Sequence, residues 1–298
     1  MDVIPPIKRG SLGWTSSGRT SNPTVAGSNP AGGVVTEIPR QLPGGLGNQG
    51  QVVRIGDTVR RPAGPHSEAV NNLLEHLRRS GFDAAPTVLG KDPEGQDLYE
   101  WIDGDVPIPP FPAWALADEA LISTARLIRR LHDALSDFEA PPDASWSDER
   151  ADPRGGPLIC HTDICPENVV FREGRAIAIL DFDFASPGRP VWDLAMAARM
   201  WAVLRPGPDG DPPDATVLGR RLGCLVAGYG LARADHEEFV DAIIEAQRVG
   251  NAFVRGRVEA GEPGFVAMWN ERGGAEWFDR VTAWMEGQRS RWLEALRI

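Results

Sequence analysis

The stretch from 158 to 194, LICHTDICPENVVFREGRAIAILDFDFASPGRPVWDL, decides how this chain is interpreted. It places Asp163 and Asn168 on one polar loop, and Asp181 directly after the apolar run AIAIL. Between the two loops, VVF and AIAIL flank a Glu-Gly pair, a pattern that predicts a β-hairpin. We expect the hairpin to return the chain on itself, so that these oxygen-bearing side chains converge.

Phosphoryl transfer needs residues of these types. A carboxylate such as Asp163 can accept the proton of an acceptor hydroxyl held in line with a phosphate. The amide oxygen of Asn168 and the carboxylate of Asp181 suit Mg²⁺, which prefers oxygen ligands. Asp183 has two interpretations, a second metal contact or a hydrogen-bonding brace, and the brace is slightly favoured.

The ordered series formed by the loop, the hairpin, Asp181-Phe182-Asp183 and PVWDLA resembles the aminoglycoside phosphotransferases and the wider protein-kinase-like superfamily. The resemblance implies an α+β fold with two lobes, a small antiparallel sheet carrying one helix and a larger helical lobe. It implies Mg²⁺ and ATP, with GTP as an alternative donor, and a small-molecule hydroxyl as acceptor. The implied roles are catalytic base for Asp163, metal ligand for Asn168, Asp181 and Asp183, and loop support for His161 and Asp193.

The region from 34 to 102 is predicted to be the nucleotide-binding lobe, preceded by a disordered tail over 1–33. VTEIPR is a candidate first strand, and VVRI and TVRR alternate about Gly56-Asp57 as a tight hairpin would. SEAVNNLLEHLRRSGF has helical spacing of its apolar residues, with Ser67 as the expected N-cap. PTVLG and DLYEWI are predicted to be two further strands.

The third strand carries arginine where superfamily members usually place a phosphate-binding lysine. It reads Thr58-Val59-Arg60-Arg61-Pro62, and guanidinium can contact phosphate in a bidentate manner. Alternation puts the two arginines on opposite faces, and Arg60 is preferred over Arg61 as the phosphate ligand. Glu68 is the expected ion-pair partner, with Glu75 as the second choice.

Two backbone contacts with the nucleotide are also expected. The loop GGLGNQG, including Gly45 and Gly47, could cover the phosphates with its amides because it directly precedes the predicted hairpin. LYEWIDG resembles the segment that joins the lobes in such kinases, which implies that backbone groups of Glu100 and Ile102 pair with adenine.

The region from 103 to 298 is predicted to be the helical lobe, which holds the catalytic loop and the acceptor site. A proline-rich connector opens it, because no helix could cross DGDVPIPPFP. Leu121, Ile128, Leu131 and Leu135 mark one face of a long helix, and further helices are expected from Trp192 onward.

Composition excludes several classes of protein. A net charge of −11 argues against nucleic acid as a partner, whereas it is compatible with a cationic substrate. No apolar run approaches the roughly 20 residues that span a bilayer. Three cysteines form no even disulfide framework, and with no signal-peptide core they favour a cytoplasmic protein. We expect a monomer or a homodimer.

Two alternatives to a small-molecule kinase are less compatible with the sequence. A nucleotide-binding pseudokinase is disfavoured because such a protein need not keep Asp163, Asn168 and Asp181 together. A protein kinase is disfavoured because the chain lacks an Ala-Pro-Glu segment and has little room for an activation loop between Asp183 and Asp193.

Overall fold

The computed structural model describes residues 38–42, 51–202 and 214–297. The expected tail over 1–33 and the glycine loop with Gly45 and Gly47 lie outside these ranges. Within them the chain is α+β: an antiparallel sheet with one helix comes first, and mainly helical structure follows.

The sheet has five strands in the order β1-β2-β3-β5-β4. β2 and β3 form the predicted hairpin, with Ile55 opposite Thr58 and Gly56 at φ 57°. Of the expected first strand, residues 35–37 lie outside the described ranges. Ile38 and Pro39 precede the pairing, since Pro39 has no N–H to donate to a ladder, and the strand begins at Arg40. The strands are β1 Arg40–Gln41, β2 Val53–Ile55, β3 Thr58–Arg61, β4 Val88–Lys91 and β5 Asp97–Glu100.

Helix α1, Ser67–Arg79, packs its apolar side onto this sheet region, and Leu73 and Leu77 are fully buried. The expected N-cap was wrong by one residue. Ser67 is already helical, His66 is the cap position, and the Ser67 hydroxyl accepts a hydrogen bond from the Gly64 amide at 2.8 Å. The serine therefore stabilises the turn before the helix rather than the helix end itself.

The connector after the sheet is fixed to the second half of the chain. Asp105 and Phe171 exchange two backbone hydrogen bonds of 2.8 Å each. Gly104, at φ 156°, lies so close that a Cβ would be 2.7 Å from the Phe171 carbonyl oxygen. Only glycine fits this close approach of two backbones.

The remaining elements form a helical body with two short β-ladders. The predicted hairpin is confirmed, with Glu173 and Gly174 both at positive φ between its strands. The largest fully buried side chains include Trp192, Trp201 and Phe171. Trp192 and Phe171 belong to the stretch 158–194, so the core packs directly against that stretch. The elements are α2 Asp118–Ala134, β6 Leu158–Cys160, β7 Val169–Arg172, β8 Arg175–Ile179, β9 Ser186–Gly188, α3 Pro190–Trp201, α4 Ala215–Tyr229, α5 His236–Glu259, α6 Pro263–Glu271 and α7 Gly274–Ala295.

Hydrophobic spacing located the long helix correctly. Leu121, Ile128 and Leu131 are completely buried on α2, and Leu135 lies just beyond its end. Across the described ranges, no helix is long and apolar enough to cross a membrane.

Candidate active site

Two β-ladders bring the predicted catalytic segments together. β6 pairs with β9 and β7 pairs with β8, so the loop 161–168 and the loop 180–185 run side by side. The backbone amide of Leu180 donates to the carbonyl of Asn168 at 2.8 Å, which joins the two loops directly. The convergence inferred from the hairpin is therefore a consequence of strand pairing on both sides.

The loops contain strained backbone at two residues. Thr162 and Asp181 both have φ 62°, in the left-handed region that side chains with a Cβ rarely adopt. For β-branched Thr162 this conformation is a true outlier, and its hydroxyl donates to the Phe184 carbonyl at 2.7 Å. Strain of this kind costs about 1–3 kcal/mol and persists only where surrounding contacts impose it.

Asp193 supplies those contacts from the first turn of α3. Its completely buried carboxylate accepts hydrogen bonds from the backbone amides of His161 at 2.7 Å and Thr162 at 2.6 Å. His132 on α2 approaches the same carboxylate at 3.1 Å and also meets the hydroxyl of Tyr229. Burial acts to raise the pKa of Asp193, but the hydrogen bonds and charge from His132 and His161 outweigh it, and the pKa is lowered.

His161 lies behind the loop rather than in the cleft. One ring nitrogen is 2.8 Å from the Leu180 carbonyl and the other accepts from the Asp163 amide at 3.1 Å. The ring packs edge-on against Phe182 with centroids 4.5 Å apart. These contacts tie both loops to one side chain, which is a supporting arrangement.

Asp163 is held between an amide and a guanidinium. The Asn168 side-chain amide donates to the Asp163 backbone carbonyl at 2.9 Å and approaches its carboxylate at 3.4 Å. Arg150 forms an ion pair with the other carboxylate oxygen. Burial raises the pKa of Asp163, and the opposing effect of Arg150 does not cancel it. A raised pKa brings a general base closer to neutral pH, where proton transfer is most effective.

Sequence reasoning missed Arg150 because it lies 13 residues before Asp163, in a polar segment with no periodicity. Its backbone carbonyl accepts a hydrogen bond from the buried indole of Trp192 at 3.1 Å. Its guanidinium lies 4.9 Å from the ring centroid of Phe184 and 4.4 Å from that of Phe253. An arginine in the loop preceding β6 was the available signal, although nothing in its spacing connects it to Asp163.

The structure brings Arg61, the second choice, to the carboxylates of Asp181 and Asp183. Its guanidinium lies 3.2 Å from Asp181 and forms an ion pair with Asp183. Burial and the Asp181 charge raise the pKa of Asp183 to about 6, despite the neighbouring Arg61. Asp183 thus contacts Arg61, an arrangement compatible with the favoured interpretation as a brace, and its role as a metal ligand stays a prediction.

The preferred residue, Arg60, points elsewhere. Its guanidinium meets Asp92 at 3.5 Å, at the end of β4. Successive side chains of a strand face opposite sides, and Val59 packs on the core together with the face that carries Arg61. The preference for Arg60 as the phosphate ligand stays a prediction, although burial of Val59, which sequence alternation did not reveal, turns Arg61 rather than Arg60 toward Asp181 and Asp183.

The expected ion pair between Glu68 and an arginine of β3 is absent from the described residues. Glu68 and Glu75 are exposed on α1, and neither forms an ion pair within the described residues. Asn71 occupies the inward position, donating to Asp97 at 3.2 Å and accepting from the Tyr99 hydroxyl at 2.8 Å. A neutral amide thus links the helix to β5, on the strand that pairs with β3.

The expected adenine contacts lie at the end of β5. The Glu100 amide donates to the Thr87 carbonyl at 3.0 Å and the Trp101 amide to the Asp57 carbonyl at 2.8 Å. The Glu100 amide is thus already engaged within the sheet region. Ile102 is half-buried just beyond the strand.

The oxygen donors fit Mg²⁺ better than a softer ion. Asn168 turns its amide nitrogen toward Asp163, which leaves its oxygen on the other side, and the Asp181 carboxylate is about one-third exposed. The described residues contain no group of three or more His, Cys, Asp or Glu side chains arranged for a metal. Two protein ligands are nevertheless enough where substrate phosphates and water complete the shell, as is usual for Mg²⁺.

Comparisons with known proteins agree with this geometry. The model of the phosphotransferase enzyme family matches residues 143–236, a range that contains both loops. The trifolitoxin immunity protein of Rhizobium leguminosarum bv. trifolii is 33% identical over 247 residues, 78% of this chain and 92% of that protein. The homoserine kinase of Brucella abortus is 24% identical over 193 residues, 65% of this chain but only 50% of the kinase.

A solved structure shares the fold. The choline/ethanolamine kinase family protein from Mesorhizobium loti superposes with a TM-score of 0.60 at 20% identity, over 89% of this chain and 94% of that one. The similarity confirms the α+β, protein-kinase-like fold predicted from the sequence.

Proposed function

Because the chain belongs to the phosphotransferase enzyme family, we propose that it is a small-molecule O-kinase that transfers the γ-phosphoryl group of Mg²⁺-ATP to a substrate hydroxyl. The named kinases among its relatives support phosphoryl transfer. The observation that carries the proposal is the convergence of Asp163 and Asn168 from one loop with Asp181 from the other.

In the proposed reaction, Asp163 accepts the proton of the acceptor hydroxyl. The hydroxyl oxygen forms a bond to the γ-phosphorus, while the bond from that phosphorus to the β,γ-bridging oxygen breaks and its electron pair leaves on ADP. The side-chain amide of Asn168 orients the loop carrying Asp163. Asp193 and His132 hold the same loop through its backbone.

Asn168 and Asp181 would hold the metal ion, with Asp183 nearby. When bound, Mg²⁺ neutralises and orients the triphosphate. Arg61 already lies on Asp181 and Asp183, so we assign it, rather than Arg60, to the nucleotide phosphates. The Glu100 carbonyl and the Ile102 amide would meet the base, and GTP remains an alternative donor. Roles for Gly45 and Gly47 stay predictions.

A second candidate is a nucleotide-binding protein without catalysis. The relative with 33% identity is named for immunity, and immunity can follow from binding as well as from chemistry. The two candidates differ in whether Asp163 is needed, since it would be dispensable for binding alone.

The test begins with nucleotide binding, which requires no knowledge of the acceptor. We expect Mg²⁺-ATP to raise the melting temperature of the wild type and not that of Asp181→Ala, and Mg²⁺-GTP is measured beside it. Phosphate transfer from [γ-³²P]ATP is then screened with amino alcohols, homoserine, sugars and aminoglycosides, using Asp163→Asn as the matched control.

Each outcome decides between the candidates. Transfer that is lost in Asp163→Asn, with nucleotide binding retained, supports the kinase. Equal transfer by both proteins removes the assignment of Asp163. Nucleotide binding with no transfer to any acceptor favours the binding-only protein, and no binding of either nucleotide refutes both candidates.

A further inference from the structure

Arg150 pairs with Asp163 but has no role in the reaction proposed above. On the basis of the proposed kinase function, we propose that Arg150 is a further catalytic residue, whose guanidinium contacts the phosphoryl group while it is transferred.

The guanidinium lies beside the reacting atoms. It is paired with Asp163, and the two side chains are only 13% and 17% exposed. The acceptor hydroxyl must lie within hydrogen-bond reach of Asp163, about 3 Å, for its proton to be taken. The phosphorus becomes bonded to that same oxygen. The phosphoryl oxygens would therefore lie next to the guanidinium that pairs with Asp163.

The guanidinium is held in place but not saturated. Trp192 fixes the backbone of Arg150, while the rings of Phe184 and Phe253 flank the guanidinium. The buried Nε has no hydrogen-bond partner among the described residues. A cation that is fixed in advance can stabilise developing charge without reorganising.

The catalytic loop itself supplies no cation at this point. The four residues between Asp163 and Asn168 are Ile-Cys-Pro-Glu. Arg61 is engaged on the opposite side by Asp181 and Asp183. Arg150 is thus the cation that the described structure places on the base, in the position from which an arginine supplied in cis can act on a transferring phosphoryl group.

Proton transfer favours a change in the contacts of the Arg150 guanidinium, from the Asp163 carboxylate to the phosphoryl group. As the hydroxyl oxygen bonds to the γ-phosphorus and the bridging oxygen departs with ADP, the proton moves to Asp163. That carboxylate loses its negative charge, so its attraction for Arg150 weakens. The guanidinium then meets the negative phosphoryl oxygens, which carry charge throughout the step.

The experiment uses the full chain with Mg²⁺-ADP, alone and with aluminium fluoride as a mimic of the transferring phosphoryl group. Thermal shift is measured together with the slow hydrolysis of ATP, in which water replaces the acceptor. Arg150→Met removes the charge but keeps an apolar stem against the rings. Arg257→Met is the matched control, because Arg257 also lies on Phe253, at 5.1 Å, but pairs with Glu149 and Glu262.

We expect Arg150→Met to keep the shift with Mg²⁺-ADP, to lose the added shift with aluminium fluoride, and to hydrolyse ATP about 100-fold more slowly. The KM for ATP should change by less than about threefold, because the contact is made to the phosphoryl group during its transfer. Arg257→Met should behave as the wild type. A purely structural Arg150 would instead lower the melting temperature without this selective loss.

Equal aluminium fluoride shifts and hydrolysis rates in Arg150→Met and wild type would overturn the role of Arg150 and leave the kinase proposal intact. A wild type that binds no Mg²⁺-ADP would refute the kinase proposal itself, and the inference with it. Should Arg150→Met not fold, Arg150→Lys decides: hydrolysis about 10-fold slower with unchanged Mg²⁺-ADP binding supports the role, because one ammonium cannot reproduce the guanidinium's paired donors. An undiminished rate in Arg150→Lys overturns it.

Discussion

Replacing Asp193 by asparagine tests whether one buried carboxylate holds the catalytic loop. The side chain is isosteric, so packing is unchanged and only the charge and one acceptor atom are lost. The Asp193 carboxylate has no exposed surface and receives two backbone amides, from His161 and Thr162. An asparagine oxygen can serve only one of them, and its NH₂ group then faces the other amide.

The magnitude follows from these contacts. A hydrogen bond to a charged group contributes about 1.5–3 kcal/mol, and a buried donor without a partner costs about 1–3 kcal/mol. Relief from burying a charge offsets part of this sum. His132 can adapt by changing its tautomer, because its other ring nitrogen is already 2.8 Å from the Tyr229 hydroxyl. We expect Asp193→Asn to lower the free energy of unfolding by about 3 kcal/mol.

Urea unfolding followed by tryptophan fluorescence is a suitable assay, because Trp192 and Trp201 are buried in the same helix as Asp193. Asp133→Asn is the control, since Asp133 neighbours His132 on α2 but is 57% exposed in its pair with Arg129. Its loss should be below about 0.5 kcal/mol. A loss below about 1 kcal/mol for Asp193→Asn, measured at neutral pH, would refute the reasoning.

The same pair of proteins gives a pH test with a defined sign. The pKa of Asp193 is lowered in the folded state, so its contribution is fully present above the unfolded value, about 3.9. The contribution disappears as the pH falls through the lower folded value. The stability difference between wild type and Asp193→Asn should therefore be constant near neutral pH and shrink below about pH 4. A difference that grows on acidification would contradict the assignment.

Two further comparisons test the geometry of the strands and helices. Arg61→Met should raise the KM for ATP about 10-fold or more, whereas Arg60→Met, whose guanidinium meets Asp92, should leave it within about twofold; steady-state kinetics with the reverse ranking would show that the orientation of β3 is wrong. In α4, Gly223→Ala should raise the free energy of unfolding by about 0.5–1 kcal/mol, because nothing lies within 4 Å of its Cβ position. Gly228→Ala should lower it instead, because that Cβ would lie 2.7 Å from the Ile122 carbonyl oxygen; urea unfolding measures both, and equal signs would contradict the packing of α2 on α4.

Local sequence patterns predicted those elements whose turn residues or buried residues stand at regular places along the chain. The hairpin about Glu173-Gly174 was predictable because a Glu-Gly pair joins two short apolar runs, and both of its residues have positive φ in the structure. Helix α2 was predictable because its buried leucines recur at helical spacing. The N-cap of α1 was misplaced because a serine beside a helix start can bond to the preceding turn as readily as to the helix.

The candidate site was only partly predictable. Asp163, Asn168 and Asp181 follow from their order about the hairpin, because the connection is short enough for sequence order to impose proximity. Arg61 could not be separated from Arg60 in this way, since alternation divides the two side chains between faces without saying which face is buried. Asn71, rather than either glutamate of α1, meets β5 because rotation of the helix is set by its packing.

The sequence by itself determined the hairpin and the chain order of Asp163, Asn168 and Asp181 about it, because those depend on residues close along the chain. Its succession of strand and helix patterns, with the family resemblance, indicated the α+β fold. Only the tertiary structure placed Arg150 on Asp163, across a loop and a strand, and Asp193 beneath the backbone of the loop it braces. It also turned Arg61 toward Asp181 and Asp183, 120 and 122 residues away. Pairings over such distances leave no local period, because they are fixed by how separate elements pack, and packing is decided by the whole core at once.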